Sequence, residues 1–206
     1  MKFNDFPKLQ SPFVRKIINN KYIVTNEIAE EYKWVFENKD IKAVEKIHGT
    51  CCAVVIENGV VSAMFNRTNR IPFIGGTLSK ALSEGVNNAL SKNKFTLQDG
   101  IFWGELIGPK IQKNEYKLEE HEWIPFEWLR NHCYYKCWGK YPKTFESISE
   151  WFKDLMPLFM CRRGIKDGFV EGIVFTNPDG RMAKLRCDMF DWFEGDRHND
   201  KYQKLL

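Results

Sequence analysis

The chain has 206 residues, of which 43% are hydrophobic and 28% charged, and its formal net charge is +4. That balance is ordinary for a globular protein, and the mild basic excess permits a polyanionic partner without demanding one. The longest apolar runs fall far short of the about 20 residues that a membrane span needs, and Met1-Lys2-Phe3-Asn4-Asp5-Phe6-Pro7 lacks the apolar core of a secretory signal. A cytoplasmic protein without a membrane partner is expected. Of the six cysteines, Cys51-Cys52, Cys161 and Cys187 are scattered through apolar or strand-like segments; Cys133 and Cys137 lie close together beside His132, and no second pair at ligand spacing answers them. Reduced, mostly buried thiols are therefore expected in place of a metal or disulfide framework.

In chain order, the stretch from Ile28 to Phe36 is amphipathic and predicts a short helix. After Asp40 the pattern turns to period two, with Ala43-Val44 leading into Lys46. Cys52 to Ile56 and Val60 to Phe65 predict two strands, and Asn58-Gly59 between them is a strong hairpin signal. Leu78, Ala81, Leu82, Val86, Ala89 and Leu90 recur at helical spacing. Ile101 to Ile107 predicts a strand ending at Gly108-Pro109, and the charged residues 110–122 predict a loop. Phe145 to Phe159 outlines a second helix. Two closing strands, Phe169 to Thr176 and Arg181 to Arg186, flank the turn residues Asn177-Pro178-Asp179-Gly180. Strands and helices mix without a regular βαβ alternation, which predicts an α+β fold with mainly antiparallel sheets flanked by helices.

Several charged residues stand where burial would be costly without a purpose. Lys46 sits between apolar Val44 and Ile47 and precedes Gly49, which lets a ligand approach the backbone. Desolvation there favours a neutral amine, the form of lysine that can act as a nucleophile. Glu171 interrupts an apolar run and calls for a cation or metal partner. Lys184 and Arg186 are two apart on the next strand and so share a face, making a plausible phosphate site beside the carboxylate. Glu105 lies between Trp103 and Leu106 and could accept from a ribose hydroxyl, while Phe126, read on a strand with Glu127, is one of several rings that could stack on a base.

The order of these clusters resembles that of the covalent nucleotidyltransferases, which comprise ATP-dependent DNA ligases, RNA ligases and mRNA capping enzymes. Glu45-Lys46-Ile47-His48-Gly49-Thr50 is similar to the RNA-ligase branch, where His-Gly-Thr follows the nucleophile. Phe102-Trp103-Gly104-Glu105-Leu106-Ile107-Gly108-Pro109-Lys110-Ile111-Gln112 resembles a stretch of the second phage-type RNA ligases. The resemblance covers residues 43–186. It implies a ligase-type nucleotidyltransferase domain and an ATP-dependent RNA ligase that joins 5′-phosphate and 3′-hydroxyl ends through a lysine–AMP intermediate. It implies ATP and Mg2+ (or Mn2+) as cofactors, and the ends of a nicked duplex or broken RNA as partners. A monomer is expected.

By the same resemblance Lys46 is the AMP acceptor, and His48 is needed once AMP is on the enzyme. Arg67 contacts the nucleotide and the incoming 5′-phosphate, Glu105 holds the ribose, and Phe126 stacks on adenine. Glu171 acts with the metal, Lys184 and Arg186 sit over the α-phosphate, and Glu45 contacts the nucleotide region. Cys51 stands where many RNA ligases have asparagine, and Arg186 where the family often has lysine. The 20 residues after Arg186 leave no place for a C-terminal OB-fold or helical domain, so a single domain over 1–206 is expected. Two alternatives are a small ATP-dependent DNA ligase and a nucleic-acid end-binding or adenylylating protein that does not complete sealing. His48 speaks against the DNA ligase, since DNA ligases typically place an acidic residue before that glycine.

Overall fold

A computed structural model describes residues 3–195; the remainder of the expected 1–206 span lies outside the described residues. In chain order the elements are β1 (Phe13–Ile18), β2 (Lys21–Ile28), α1 (Trp34–Glu37), β3 (Lys42–Lys46), β4 (Thr50–Glu57), β5 (Val60–Asn66), β6 (Asn69–Ile71) and α2 (Thr77–Ser91). They continue with β7 (Gly100–Ile107), β8 (Glu122–Pro125), α3 (Phe126–His132), α4 (Phe145–Lys153), α5 (Leu158–Cys161), β9 (Gly172–Thr176) and β10 (Met182–Arg186). The fold is α+β with antiparallel sheets, as expected. The chain divides into two compact units, with the boundaries falling after Lys8, Lys46 and Cys133. Among the described residues no helix is long and apolar enough to cross a membrane.

The unit of residues 47–133, joined by the N-terminal residues to Lys8, holds a five-stranded sheet in the order β6-β5-β4-β7-β8. Alternation sends Cys52, Val54 and Ile56 of β4 into the core with Met64, Leu106 and Trp123, and Ala81, Leu82, Val86 and Ala89 of α2 join the same cluster. Gly85 lets α2 come close: a Cβ there would stand 2.7 Å from Trp123 N. On β7 the next residues in register, Trp103 and Glu105, point to the opposite face. There Phe3 stacks on Phe65, with ring centroids 3.8 Å apart, and also meets Trp103.

The other unit holds a three-stranded sheet in the order β10-β9-β3 and the β1-β2 hairpin. Its core gathers Ala43, Ile173, Phe175, Ala183 and Leu185 from one sheet face with Ile148 and Phe152 of α4 and a set of buried aromatics. The hairpin turn is Asn19-Asn20, both at positive φ (50° and 60°), the geometry that matches the twist of the flanking strands.

Three expected elements differ. Ile28 to Phe36 is not one helix: Ile28 ends β2, a 3-10 turn covers Glu30–Tyr32, and α1 has only four residues. The helix expected from Phe145 to Phe159 is two pieces. Pro157, which has no N–H to donate within a helix, separates α4 from α5, and Met156 is 58% exposed instead of in the core. Phe126, expected on a strand, opens α3 directly after Pro125.

Candidate active site

Lys46, Lys184 and Arg186 share the face of the β10-β9-β3 sheet that points away from the unit's core, and Glu171 stands beside them just before β9. Register sets the arrangement: Lys46 pairs with Gly172, and Gly172 pairs with Arg186 on the other side. The missing side chain at Gly172 leaves the two flanking cations with only backbone between them. A Cβ there would run into Leu185 O and stand 2.6 Å from Arg186 Cα, and φ is +150°. Glu171 precedes β9, 6% exposed, and its Oε2 accepts from Lys46 Nζ at 2.7 Å. Its Oε1 stands 3.9 Å from Arg186 Nη1.

Arg186 is also paired with a residue that the sequence analysis passed over. Asp188, 5% exposed in the 3-10 turn Cys187–Met189, places Oδ1 2.9 Å from Arg186 Nε. The signal available was an acid two residues after a buried arginine. Lys184 shares the strand face with Arg186 and pairs in register with Val174. Burial, then the nearby Arg186 and Lys46 charges, push its amine down from 10.5 to about 8, with Glu171 pulling the other way. Three cations thus face the buried carboxylate Glu171, an excess suited to an anion with several charged oxygens.

Glu45 is not part of that group. It neighbours Lys46 on β3 and therefore points to the opposite face, in register with Ile173. It is 1% exposed, and its Oε2 accepts from Phe159 N at 2.7 Å. Burial pushes its carboxyl up to about 8 in spite of that bond.

His48, Arg67, Glu105 and Phe126 belong to the other unit. Two successive amides of the turn after β3 are held by side chains: His48 N donates to Tyr116 Oη at 2.8 Å, and Gly49 N donates to Glu105 Oε1 at 3.0 Å. The Glu105 carboxylate is 8% exposed. Gly49 is required by contact, because a Cβ would meet Leu106 O, Ile107 Cγ2 at 2.7 Å and Glu105 Cγ at 2.9 Å. Gly49→Ala is accordingly expected to lower stability by about 1–3 kcal/mol, the usual cost of overpacking, as measured by urea unfolding.

Arg67 sits at positive φ (52°) in the turn between β5 and β6. Its Nε and Nη2 reach Asp5 Oδ2 at 3.2 and 2.9 Å, and Nη2 also donates to Phe6 O at 2.9 Å. The Phe6 ring lies 4.9 Å from that of Phe126 and 5.5 Å from that of Trp103. One N-terminal segment therefore touches two of the residues expected at the nucleotide, Arg67 and Phe126, a link with no counterpart in the motifs. Its only sequence mark was a Phe-x-x-Phe spacing beside an acid.

No protein-family model matches the sequence, and no curated protein matches it. Solved structures of an RNA ligase from Naegleria gruberi do resemble it. A mutant with ATP and Mn gives a TM-score of 0.53 at 14% identity, covering 96% of this chain and 62% of that one. A mutant apo form gives 0.52 at 17% identity, covering 87% and 59%. The form with PPi gives 0.50 at 16% identity, covering 89% and 57%. The chain thus has the fold seen in these RNA ligase structures. It spans less than two thirds of the length of these ligases.

Proposed function

We propose that this protein is an ATP-dependent RNA ligase in which Lys46 accepts AMP. The observation that carries the reading is the Lys46–Glu171 contact of 2.7 Å on a sheet face that also presents Lys184 and Arg186. Such a cluster brings a nucleophile, a carboxylate and phosphate-binding cations onto one scaffold. The resemblance of the motifs and the likeness to ligase structures bound to ATP or PPi agree with it.

In the proposed first step Lys46 Nζ, after losing a proton, forms a bond to the α-phosphorus of ATP. The bond to the bridging oxygen breaks, and pyrophosphate leaves with the electron pair. The nitrogen sheds a second proton as the phosphoramidate forms. Glu171, in contact with Nζ, is the acceptor at hand for the first proton, and both pass on to solvent. Lys184 and Arg186 take the charge of the phosphate oxygens. AMP then moves to an RNA 5′-phosphate, in the step assigned to His48, and a 3′-hydroxyl displaces it to seal the strand. Arg67 receives the 5′-phosphate, Glu105 the ribose and Phe126 the adenine.

The donor set suits a divalent cation of the magnesium kind. Glu171 offers buried carboxylate oxygens, and among the described residues no three or more His, Cys, Asp or Glu gather into an all-protein cage. Mg2+ typically takes one or two carboxylates together with waters and substrate phosphates. Held by Glu171, it would neutralise phosphate charge during transfer.

Incubation with α-labelled ATP and magnesium, followed by denaturing electrophoresis, tests the proposal. Wild type is expected to carry the label and Lys46→Ala to carry none. Wild type without label under any nucleotide or metal would overturn the mechanism. Label that passes to DNA ends in preference to RNA ends would favour the DNA ligase alternative.

A further inference from the structure

We infer that Tyr116 is a positioning residue for His48: its hydroxyl fixes the backbone of the His48–Gly49 turn and so sets the reach of the imidazole during transfer of AMP to the RNA end. The inference rests on the ligase reading above and adds to it a residue that the motif resemblance does not assign a role.

Tyr116 belongs to the segment between β7 and β8, read from the sequence as a charged loop. Its residues Lys110, Gln112, Lys113, Asn114 and Lys117 all adopt positive φ, a run that only local bonding and packing can maintain. Ile111 and Leu118 are buried at 8% and 7% exposure, and Tyr116 at 3%. The Asn114 side chain closes a small ring on Leu118, donating to its O at 2.9 Å and accepting from its N at 3.1 Å. The two ends of the segment are drawn together by His121, whose ring lies 2.8 Å from both Pro109 O and Glu84 Oε2.

All of this ordering delivers one polar atom, Tyr116 Oη, to His48 N. With Gly49 N given to Glu105, two consecutive peptide groups are fixed, and the φ and ψ between them follow. His48 therefore leaves the turn in one direction. Packing alone would be served by a phenylalanine; the hydroxyl is what reaches the His48 amide. Removing it strands a part-buried N–H, whose cost is that of a hydrogen bond left unmade.

Enzyme–AMP prepared from wild type, Tyr116→Phe, His48→Ala and the double variant is mixed with 5′-phosphorylated RNA, and the rate of AMP transfer is followed. Tyr116→Phe is expected to charge with AMP within about twofold of wild type yet to transfer it roughly tenfold more slowly, on the scale of one unmade hydrogen bond. The double variant is expected to be no slower than His48→Ala, because both changes act through one group. Transfer by Tyr116→Phe at the wild-type rate, an equal loss of charging and transfer, or an additive double variant each overturns the inference. Should Tyr116→Phe unfold, Asn114→Ala, which loosens the ring that carries Tyr116, is expected to show the same selective loss. Wild type that never charges overturns the ligase reading and this inference with it. Wild type that charges beside an unaffected Tyr116→Phe overturns the inference alone.

Discussion

Replacing Glu171 with alanine is expected to lower the free energy of unfolding by about 3–5 kcal/mol, the range for removing one member of a buried ion pair. Its carboxylate is within reach of two cations, Lys46 at 2.7 Å and Arg186 at 3.9 Å, whose side chains are only 20% and 10% exposed. Burial first, and then the Arg186 and Lys46 charges, hold the Lys184 amine at about 8, so the cluster is already short of negative charge. Without Glu171 three crowded cations would lose the carboxylate they face, with Asp188 paired to Arg186 at 2.9 Å, which is an expensive arrangement. Urea unfolding at neutral pH measures the loss. A cycle with Lys46→Met isolates the pair: removing Lys46 as well takes away a stranded charge, so the double variant should be more stable than the sum of the single effects predicts. An interaction energy above about 1 kcal/mol is expected, within the range for residues in contact. Strict additivity would mean that the contact contributes nothing to the fold. Glu171→Gln keeps the volume and an acceptor, and its loss of stability should be smaller, while its labelling by α-labelled ATP should fall with that of Lys46→Ala.

The elements with a strong local signal were legible in the sequence. Asn58-Gly59 marks the β4-β5 hairpin, and the 3.6-residue period from Leu78 to Leu90 marks α2. The β1-β2 hairpin was not legible, because alternation fails there: Ile17 and Ile18 are adjacent and both exposed, at 51% and 41%. Its turn carries Asn-Asn, which tolerates positive φ less well than Asn-Gly and signals a hairpin less clearly. Period two placed Lys184 and Arg186 on one face correctly, and the same rule separates Glu45 from Lys46. Reading the two neighbours as one motif hid that consequence. Asp188 and Tyr116 could not be found this way, since each acts through a partner fixed by tertiary contact, and neither stands out in composition or spacing.

Glu45→Gln separates the fold from the chemistry, and its effect should depend on pH. Burial raises the Glu45 carboxyl from 4.5 to about 8 in the folded protein. Between those values the folded state holds a proton that the unfolded state releases, so wild-type stability falls as pH rises through this window. The penalty is absent below about pH 4.5 and complete above about pH 8. Glutamine is neutral throughout, can accept from Phe159 N in the same way, and carries no such penalty. Each pKa unit corresponds to about 1.4 kcal/mol, so the advantage of Glu45→Gln over wild type should grow from about 1 kcal/mol at pH 5 to a few kcal/mol at pH 8.5. Unfolding midpoints in urea at the two pH values decide it, and a difference that stays constant would show that the buried carboxyl does not titrate across the window. The same variant asks whether Glu45 touches the nucleotide. Normal labelling by a stabilised Glu45→Gln would assign the residue to the core beneath the nucleophile's strand. Loss of label despite greater stability would restore it to the chemistry, since only a direct demand for the charge could outweigh the gain in fold.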